Sequence, residues 1–176
     1  MPDYSAFREP GHSLTLPYSL DGVIDLHEIQ SRKMILLSGR DTETKLPPVN
    51  QVLVVRLGCM IYGLAPDRWL AVYSGADGCI AEFASPTVFA TDHSDAWAAL
   101  GMSGDRAAGV LQCLCSVDIH PSSFGHGACF QSRLGVNPAL VSRSLGTGSL
   151  DSFDILVPRS SARAALEDIH DVATRL

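Results

Sequence analysis

The sequence predicts an α+β fold with a mainly antiparallel sheet and helices on one side of it. Short runs of β-branched and apolar residues are separated by Gly, Pro and Asp turns, which is typical of antiparallel strands. The C-terminal segment has apolar residues at steps of three and four with charged residues opposite, which predicts a helix packing one face on the sheet. A chain of 176 residues is long enough for one well-buried core.

Two parts are expected along the chain: an extended N-terminal arm over residues 1–20 and a single α+β domain over residues 21–176. The arm contains three prolines and a glycine and has no steady hydrophobic period. Its aromatic and leucine side chains favour burial against a protein surface, so we expect the arm to lie on this chain or on a neighbour. A disordered terminus is the alternative.

Strands are predicted over most of the domain. Their expected ranges are 23–29, 52–57, 69–73, 88–91, 96–102, 128–134, 139–143 and 153–157. Gly58, Gly63 and Pro66 predict turns between the second and third of these. The polar residues 92–95 suit a turn by bonding nearby backbone amides, so the strands on either side of them are expected to form a hairpin. The segment 30–45 has mixed cues, and its type stays open.

Helices are predicted at two places, with a third indicated. Ser103 stands where a helix N-cap is expected, and apolar residues on one side continue to Leu114. The last helix begins at Ser160 or Ser161 and runs to the end of the sequence. Helical spacing of apolar residues also favours a short helix at residues 75–84.

Composition limits the kinds of partner. The net charge is −6 and no segment concentrates Lys or Arg, so we expect no nucleic acid partner. No span is apolar enough for a membrane helix and the N-terminus lacks a secretory signal, which predicts no membrane partner and a cytoplasmic location. Hydrophobic residues make up 46% and charged residues 18%, which indicates apolar surface for a partner protein; a generous core is the alternative.

The cysteines and histidines give no sign of a metal site. Five scattered cysteines are expected to be reduced and buried, because they lack the dense, even spacing of a disulfide framework. Cys113 and Cys115 lack the spacer of a zinc knuckle, and on a helix their thiols point to different faces. No two of the six histidines lie four residues apart, the spacing with which a helix binds zinc. We therefore expect no bound metal.

Catalytic and cofactor motifs are not found. The sequence lacks the glycine pattern of dinucleotide sites and the lysine of a P-loop, and the glycine-rich residues 145–149 are interpreted as a turn. It also lacks the serine elbow of hydrolases. Asp92 and Asp95 are either a turn or a general acid and base. His120 and His126 are either structural or functional loop residues. No catalytic residue and no cofactor bound by this chain are predicted.

Several segments, taken together and in order, resemble the gamma-subunit family of heterotetrameric sarcosine oxidases. They are residues 64–70, residues 92–95, residues 102–111, residues 115–129 and residues 153–160. The most specific is 115–129, with an aspartate, a His-Pro pair, a phenylalanine and a Gly-Ala pair. The motif positions that this resemblance marks as interface candidates are Pro66, Trp69, Asp92, Asp95, Asp118, His120, Phe124 and Arg159.

The resemblance implies a fold similar to the folate-binding domain of aminomethyltransferase, used as a non-catalytic subunit. In such complexes the beta subunit carries FMN and FAD chemistry, the alpha subunit carries NAD and a folate-linked domain, and a small delta subunit holds zinc. The implied reaction is oxidative N-demethylation of an N-methyl amino acid, with the one-carbon unit passed to tetrahydrofolate. The gamma-type chain itself is expected to bind no cofactor.

Departures from the family pattern leave alternatives open. Ala65 stands where the family tends to have glycine, and Gly125-His126 where a proline-containing pair is common, which favours a related complex acting on N-methylglutamate. A stand-alone folate-dependent aminomethyltransferase using Asp92 or Asp95 is an alternative from another class. Arg159, beside the start of the last helix, either binds an anion there or forms a salt bridge to a partner.

Overall fold

Two antiparallel sheets stack face to face, and two helices cover the outer face of one of them. The structure is a computed structural model, and it describes residues 16–20, 23–29, 32–41, 45–56, 58–74, 85–144 and 151–176. The predicted α+β class, with mainly antiparallel strands and helices on one side, is confirmed. A division of the strands into two sheets was not part of the prediction.

The strands in chain order are β1 (Tyr18–Leu20), β2 (Ile24–Glu28), β3 (Arg32–Gly39), β4 (Val52–Arg56), β5 (Cys59–Ala65), β6 (Arg68–Ser74), β7 (Val88–Asp92), β8 (Trp97–Ser103), β9 (Cys129–Leu134), β10 (Asn137–Arg143) and β11 (Ser152–Pro158). The helices are α1 (Ala107–Leu114) and α2 (Ala162–Ala173), and a short 3-10 helix (Arg159–Ser161) precedes α2. One sheet has six strands in the order β1-β2-β8-β11-β10-β9. The other has five, in the order β4-β5-β6-β3-β7.

Apolar side chains on the two faces of the sheets form three layers. On β8, Leu100 and Met102 face the helices, whereas Ala99 faces the five-stranded sheet. Successive side chains of a strand point to opposite faces, so one strand contributes to two layers. A third layer, which includes Leu37 and Ile61, lies on the outer face of the five-stranded sheet. Inner strands such as β8, β10 and β11 are therefore buried on both faces, which explains their nearly continuous apolar runs.

The last helix is confirmed, whereas the start of the first helix differs from the prediction. The buried side of α2 consists of Ala162, Ala165, Leu166, Ile169 and Ala173. The predicted N-cap, Ser103, is instead the last residue of β8, because its pairing with both β2 and β11 continues through this position. Arg106 precedes α1 and makes no side-chain capping bond.

One strand was missed by the sequence analysis. Residues 59–65, predicted as a turn region, form β5, which pairs with both β4 and β6. Gly63 lies inside β5, where a Cβ atom would collide with the carbonyl oxygen of Pro48. Here glycine permits a close approach of two backbones. From the sequence alone, such a glycine cannot be distinguished from one in a turn.

The predicted hairpin between β7 and β8 is wrong. Both strands exist, but β7 pairs with β3 in the five-stranded sheet and β8 pairs with β2 and β11 in the six-stranded sheet. Residues 92–95 therefore form a corner at which the chain crosses from one sheet to the other. A polar turn between two strands is compatible with either arrangement, since the pairing partners lie far away in sequence.

Several sequence predictions lie wholly or partly outside the described residues. Residues 1–15 of the predicted arm, the helix predicted at 75–84 and the turn predicted at 145–149 lie outside the described residues. Residues 18–20 of the predicted arm form β1 at the edge of the six-stranded sheet. The boundary between arm and domain stays a prediction. The open segment 30–45 contains β3.

The cysteines differ partly from the expectation. Cys115 and Cys129 are free and buried, and burial raises the pKa of Cys129 to about 12, so this thiol stays protonated. Cys113 is free but exposed. Cys59, at the start of β5, is disulfide-bonded, contrary to the prediction that all five are reduced. A single bond leaves no spacing signature of the kind used for that prediction.

Candidate functional site

The interface candidates predicted from the motifs lie in three separate places. Asp92, Asp95 and Arg159 meet at the corner between the sheets, residues 92–95, named here the crossover corner. Asp118, His120 and Phe124 lie in residues 115–128 between α1 and β9, named here the motif loop. Pro66 lies in the turn from β5 to β6, and Trp69 lies near the start of β6.

Arg159 braces the crossover corner. Its guanidinium Nε donates a hydrogen bond to the carbonyl oxygen of Asp95 at 3.1 Å, and one terminal nitrogen donates to the carbonyl oxygen of Trp97 at 3.3 Å. Its backbone N–H donates to the carbonyl oxygen of Ala96 at 2.9 Å. These contacts tie the start of α2 to the corner and occupy donors that an anion site at this helix would need.

The crossover corner is also tied to β3. The backbone N–H of His93 donates to the carbonyl oxygen of Met34 at 2.8 Å. The N–H of Met34 in turn donates to Ser94 Oγ at 3.0 Å. Four chain segments, β3, β7, β8 and the start of α2, are thus held together at one small polar turn.

Asp92 behaves as a turn residue. Its Oδ1 accepts a hydrogen bond from the backbone N–H of Ser94 at 2.8 Å, and its Oδ2 lies 3.6 Å from Lys33 Nζ. Hydrogen bonds from Ser94, first its side chain and then its N–H, lower the pKa of Asp92 below the ordinary value, with a smaller contribution from Lys33. Such a carboxylate is ionised at neutral pH and has no proton to supply, which disfavours a general acid here.

The motif loop has a polar exposed side and an aromatic buried side. Asp118 Oδ1 accepts a hydrogen bond from the N–H of His120 at 3.0 Å, and His120 Nδ1 lies 2.8 Å from Ser122 Oγ. The Ser123 side chain and the N–H of His120 lower the pKa of Asp118. Phe124 is buried, with its ring edge-on to Phe130 at 4.9 Å.

Arg143 holds the motif loop against the sheet, although sequence reasoning did not identify it. Its Nε donates to the carbonyl oxygen of Phe124 and one terminal nitrogen donates to that of Ile119, both at 2.7 Å. The other terminal nitrogen bonds Asp151, and the guanidinium lies 4.9 Å from the centre of the Phe153 ring. The available signal was an arginine ending the otherwise uncharged strand NPALVSR, since a buried cation requires partners.

His126 and Trp69 also serve the architecture. His126 Nδ1 lies 2.9 Å from the carbonyl oxygen of Ser144, which ties the motif loop to the residue after β10. Trp69 is buried, as expected for a core residue, and its Nε1 donates to the carbonyl oxygen of Pro47 at 2.8 Å. Pro66 is exposed in the turn between β5 and β6.

The crossover corner and the motif loop lie at opposite ends of the six-stranded sheet. Trp97 pairs with Pro158 beside the corner, whereas Ser103 pairs with Ser152 at the end nearest Arg143. The six steps between these pairs span roughly 20 Å at about 3.3 Å per residue. The structure therefore does not bring the predicted residues into one reaction centre.

The described part of the chain contains neither a candidate metal cluster nor a candidate membrane helix. Within it, no three His, Cys, Asp or Glu side chains are grouped as metal binding would require. None of the helices in these same ranges has the length and apolar character needed to cross a bilayer.

Comparison with known proteins gives a match in structure. One solved structure with a similar chain is the heterotetrameric sarcosine oxidase from Corynebacterium sp. U-96 in complex with pyrrole 2-carboxylate. The TM-score is 0.77 with 22% sequence identity, and the match covers 89% of this chain and 87% of that chain. No family model matches the sequence, and no curated protein sequence matches it. The chain thus shares the fold of a component of a multi-subunit oxidase.

Proposed function

We propose that this chain is a non-catalytic assembly subunit, of the gamma type, in a heterotetrameric sarcosine oxidase-type complex. The observation that carries the proposal is the fold, which is similar over 87% of one chain of such an enzyme. The ordered motifs in residues 64–160 support the same assignment. A shared fold alone does not specify function, so the contacts of the motif residues also bear on the assignment.

The motif residues direct much of their hydrogen bonding at the protein's own backbone. Arg159 and Asp92 fix the crossover corner, and Asp118 fixes the motif loop. Arg143 locks that loop onto the six-stranded sheet. Two rigid loops at opposite ends of one sheet suit docking to neighbouring chains, because pre-organised surfaces lose little conformational entropy on binding.

The proposed partners carry the chemistry of the complex. They are larger alpha and beta subunits, with NAD, FAD, FMN and a tetrahydrofolate site, and a small zinc-binding delta subunit. In these partners, flavin would take two electrons from the N-methyl amine, and tetrahydrofolate would take the one-carbon unit as the demethylated amino acid is released. This chain would bind none of these groups, and the complex would act in the cytoplasm.

Purification of the chain from its own cells, with an affinity tag, tests the proposal. Native mass spectrometry is expected to show larger chains travelling with this one, and the visible spectrum is expected to show bound flavin. Denaturing mass spectrometry then identifies each chain. A soluble, monomeric and monodisperse protein without a flavoprotein partner would contradict the proposal.

The substrate of the complex is either sarcosine or another N-methyl amino acid such as N-methylglutamate. Ala65 and the Gly125-His126 pair depart from the family pattern and support the second. His126 has a structural contact with Ser144, so this departure changes how the motif loop is fastened. Parallel assays of the purified complex with sarcosine and N-methylglutamate, with and without an artificial electron acceptor, distinguish the substrates and separate oxidase from dehydrogenase.

The stand-alone folate-dependent aminomethyltransferase is tested with the isolated chain. That alternative requires tetrahydrofolate binding by this chain and a reactive carboxylate at Asp92 or Asp95. The bonds from Ser94 to Asp92 argue against such a role for that residue. A calorimetric titration with tetrahydrofolate is expected to show no binding; micromolar binding would favour the aminomethyltransferase.

A further inference from the structure

The described strands leave four sheet edges, and these differ in how they are protected. The edges are β1 and β9 in the six-stranded sheet and β4 and β7 in the five-stranded sheet. Edge strands present backbone N–H and C=O groups that another chain can pair with, so soluble proteins shorten, bend, charge or cover them.

Three of the edges show such protection. β1 is three residues long. β4 has a register shift near its end, and at its start the N–H of Val52 donates to the carbonyl oxygen of Gly127 at 2.7 Å. β9 carries the exposed Arg133, and the side chain of Gln131 crosses to donate to the carbonyl oxygen of Leu64 at 2.9 Å.

The edge formed by β7 is different. Its sequence, VFATD, contains no Lys, Arg or Pro, and it pairs with β3 in continuous register from Val88 to Asp92. Phe89 has 69% of its surface exposed, and the residues after it are also exposed. The one charge, on Asp92, is bonded to Ser94 at the corner and lies 3.6 Å from Lys33 Nζ of β3, with both side chains more than half exposed. This edge therefore lacks the protection seen at the other three and exposes an aromatic side chain.

The hydrogen bonds at the two ends of the β3–β7 pair show which backbone groups face outward. The N–H of Arg40 donates to the carbonyl oxygen of Thr87, and that of His93 to the carbonyl oxygen of Met34. Antiparallel ladders bond every second residue, so the amides of Phe89 and Thr91 face β3. Those of Ala90 and Asp92 face away from it.

We propose that an extended segment of a partner subunit pairs with β7 and adds a sixth strand to the five-stranded sheet. The inference rests on the proposed function, because the segment belongs to a larger chain of the same complex. Backbone pairing supplies affinity and alternate side chains supply specificity in this mode of recognition. The segment would place an apolar side chain against Phe89 and a basic one beside Asp92.

A second copy of this chain fits the edge less well. Antiparallel self-pairing centred on Ala90 would place Asp92 of each copy opposite Val88 of the other. Val88 is apolar and buried, so the carboxylate would gain no partner. Hydrogen bonds of Ser94 and His93 with Met34 hold the end of β7 against β3, so the edge is already extended for pairing. The charge of Asp92 at this end favours a strand with a basic side chain.

Photo-crosslinking in the assembled complex tests the occupant. The tagged chain, with p-benzoylphenylalanine in place of Phe89, is purified with its partners, irradiated and analysed by peptide mass spectrometry. A crosslink to one extended peptide of a larger subunit is the expected result. The same crosslinker at Val136, 77% exposed in the turn between β9 and β10, is the control for nonspecific contact.

Other crosslinking outcomes overturn the inference. These are a crosslink to a second copy, a crosslink to residues 1–15 of the same chain, or a yield no higher than at Val136. If larger subunits co-purify but Phe89 does not reach them, only the strand pairing fails. If no larger subunits co-purify, the proposed function itself fails.

A backbone substitution provides an independent test. Ala90→Pro removes an outward N–H without removing a bond to β3, and proline is tolerated at such edge positions. We expect the variant to keep the melting temperature of the isolated chain but to dissociate at least about tenfold faster from the complex. Ala90→Val retains the N–H and is the matched control. Equal dissociation of the two variants would overturn the inference.

Discussion

Arg143 shows how much of this fold depends on one buried cation. An unpaired charge in the interior costs several kcal/mol, and here bonds to Phe124, Ile119 and Asp151 offset that cost. Its side chain is only 3% exposed, so solvent screens these bonds little. The position of the motif loop, and with it the predicted docking surface, therefore depends on this residue.

Replacement of Arg143 by methionine is expected to lower the free energy of unfolding by about 3–5 kcal/mol, because two buried carbonyl groups and a carboxylate lose their partner. Urea denaturation followed by circular dichroism measures the change. Arg163→Met is the control, since this arginine is partly exposed on α2 and its ion pair with Glu167 at i,i+4 is screened by solvent. That change is expected to cost about 0.5 kcal/mol. Equal losses would contradict the role of Arg143.

Asp92 is expected to titrate below pH 3.8 in the folded chain, because hydrogen bonds from Ser94 stabilise its ionised form. A depressed folded-state pKa stabilises the protein above the unfolded pKa, and this stabilisation disappears as pH falls through the folded value. Carboxyl-detected NMR measures it. Ser94→Ala should raise the pKa of Asp92 towards 3.8, whereas Ser122→Ala, in the distant motif loop, should leave it unchanged.

At the scale of elements, the pair Pro47-Pro48 closes over the strands β5 and β6. Gly63 has no Cβ atom, which leaves room for the carbonyl group of Pro48, and Trp69 Nε1 donates a hydrogen bond to the carbonyl oxygen of Pro47. A Pro-Pro pair ordinarily marks the end of a helix or strand. In the structure it is a buried contact that requires glycine on one strand and tryptophan on the next.

Gly63→Ala is expected to destabilise the chain by about 1–3 kcal/mol, because the new methyl group would displace the Pro48 backbone. Gly109→Ala, in α1, is the matched control, and we expect it to change the stability in the opposite direction. Its Cβ would meet only Leu176 Cδ1, at an ordinary 4.0 Å, so higher helix propensity should stabilise the chain by about 0.5–1 kcal/mol. Thermal denaturation of both variants measures the difference; loss of stability in both would contradict this account.

Elements with a strong local pattern could be predicted, and their pairing could not. α2 and the strands β9, β10 and β11 follow from apolar periodicity and turn residues. β5 was missed because its glycine serves a contact with Pro48, which lies outside the strand. The hairpin of β7 and β8 was wrong because the choice between two sheets depends on partners tens of residues away. Local residues do not encode that choice by themselves.

For the candidate site, too, the sequence predicted individual residues but not how distant segments meet. The motif resemblance marked Asp92, Asp118 and Arg159, each of which makes a contact that fixes a loop. It did not mark Arg143, because the strand that ends in this residue has no recognised spacing to the motif loop. Nor could any linear pattern show that the crossover corner and the motif loop lie at opposite ends of one sheet.

At the scale of the whole molecule, the two sheets are expected to unfold as one unit. Side chains from both form a common layer, including Leu70 and Leu140, and backbone bonds join β4 to the start of β9. Such a shared core favours a single cooperative transition. This expectation agrees with the predicted single domain over residues 21–176.

Leu140→Ala, in a Trp97→Phe background, tests that cooperativity. Leu140 belongs to the six-stranded sheet and is 1% exposed, so its truncation should cost about 2–5 kcal/mol. Trp69, the remaining tryptophan, reports on the five-stranded sheet. Its fluorescence transition in urea should shift together with the circular dichroism transition, because loss of the common layer destabilises both sheets. If the Trp69 transition stayed in place while the other moved, the two sheets would be separate folding units.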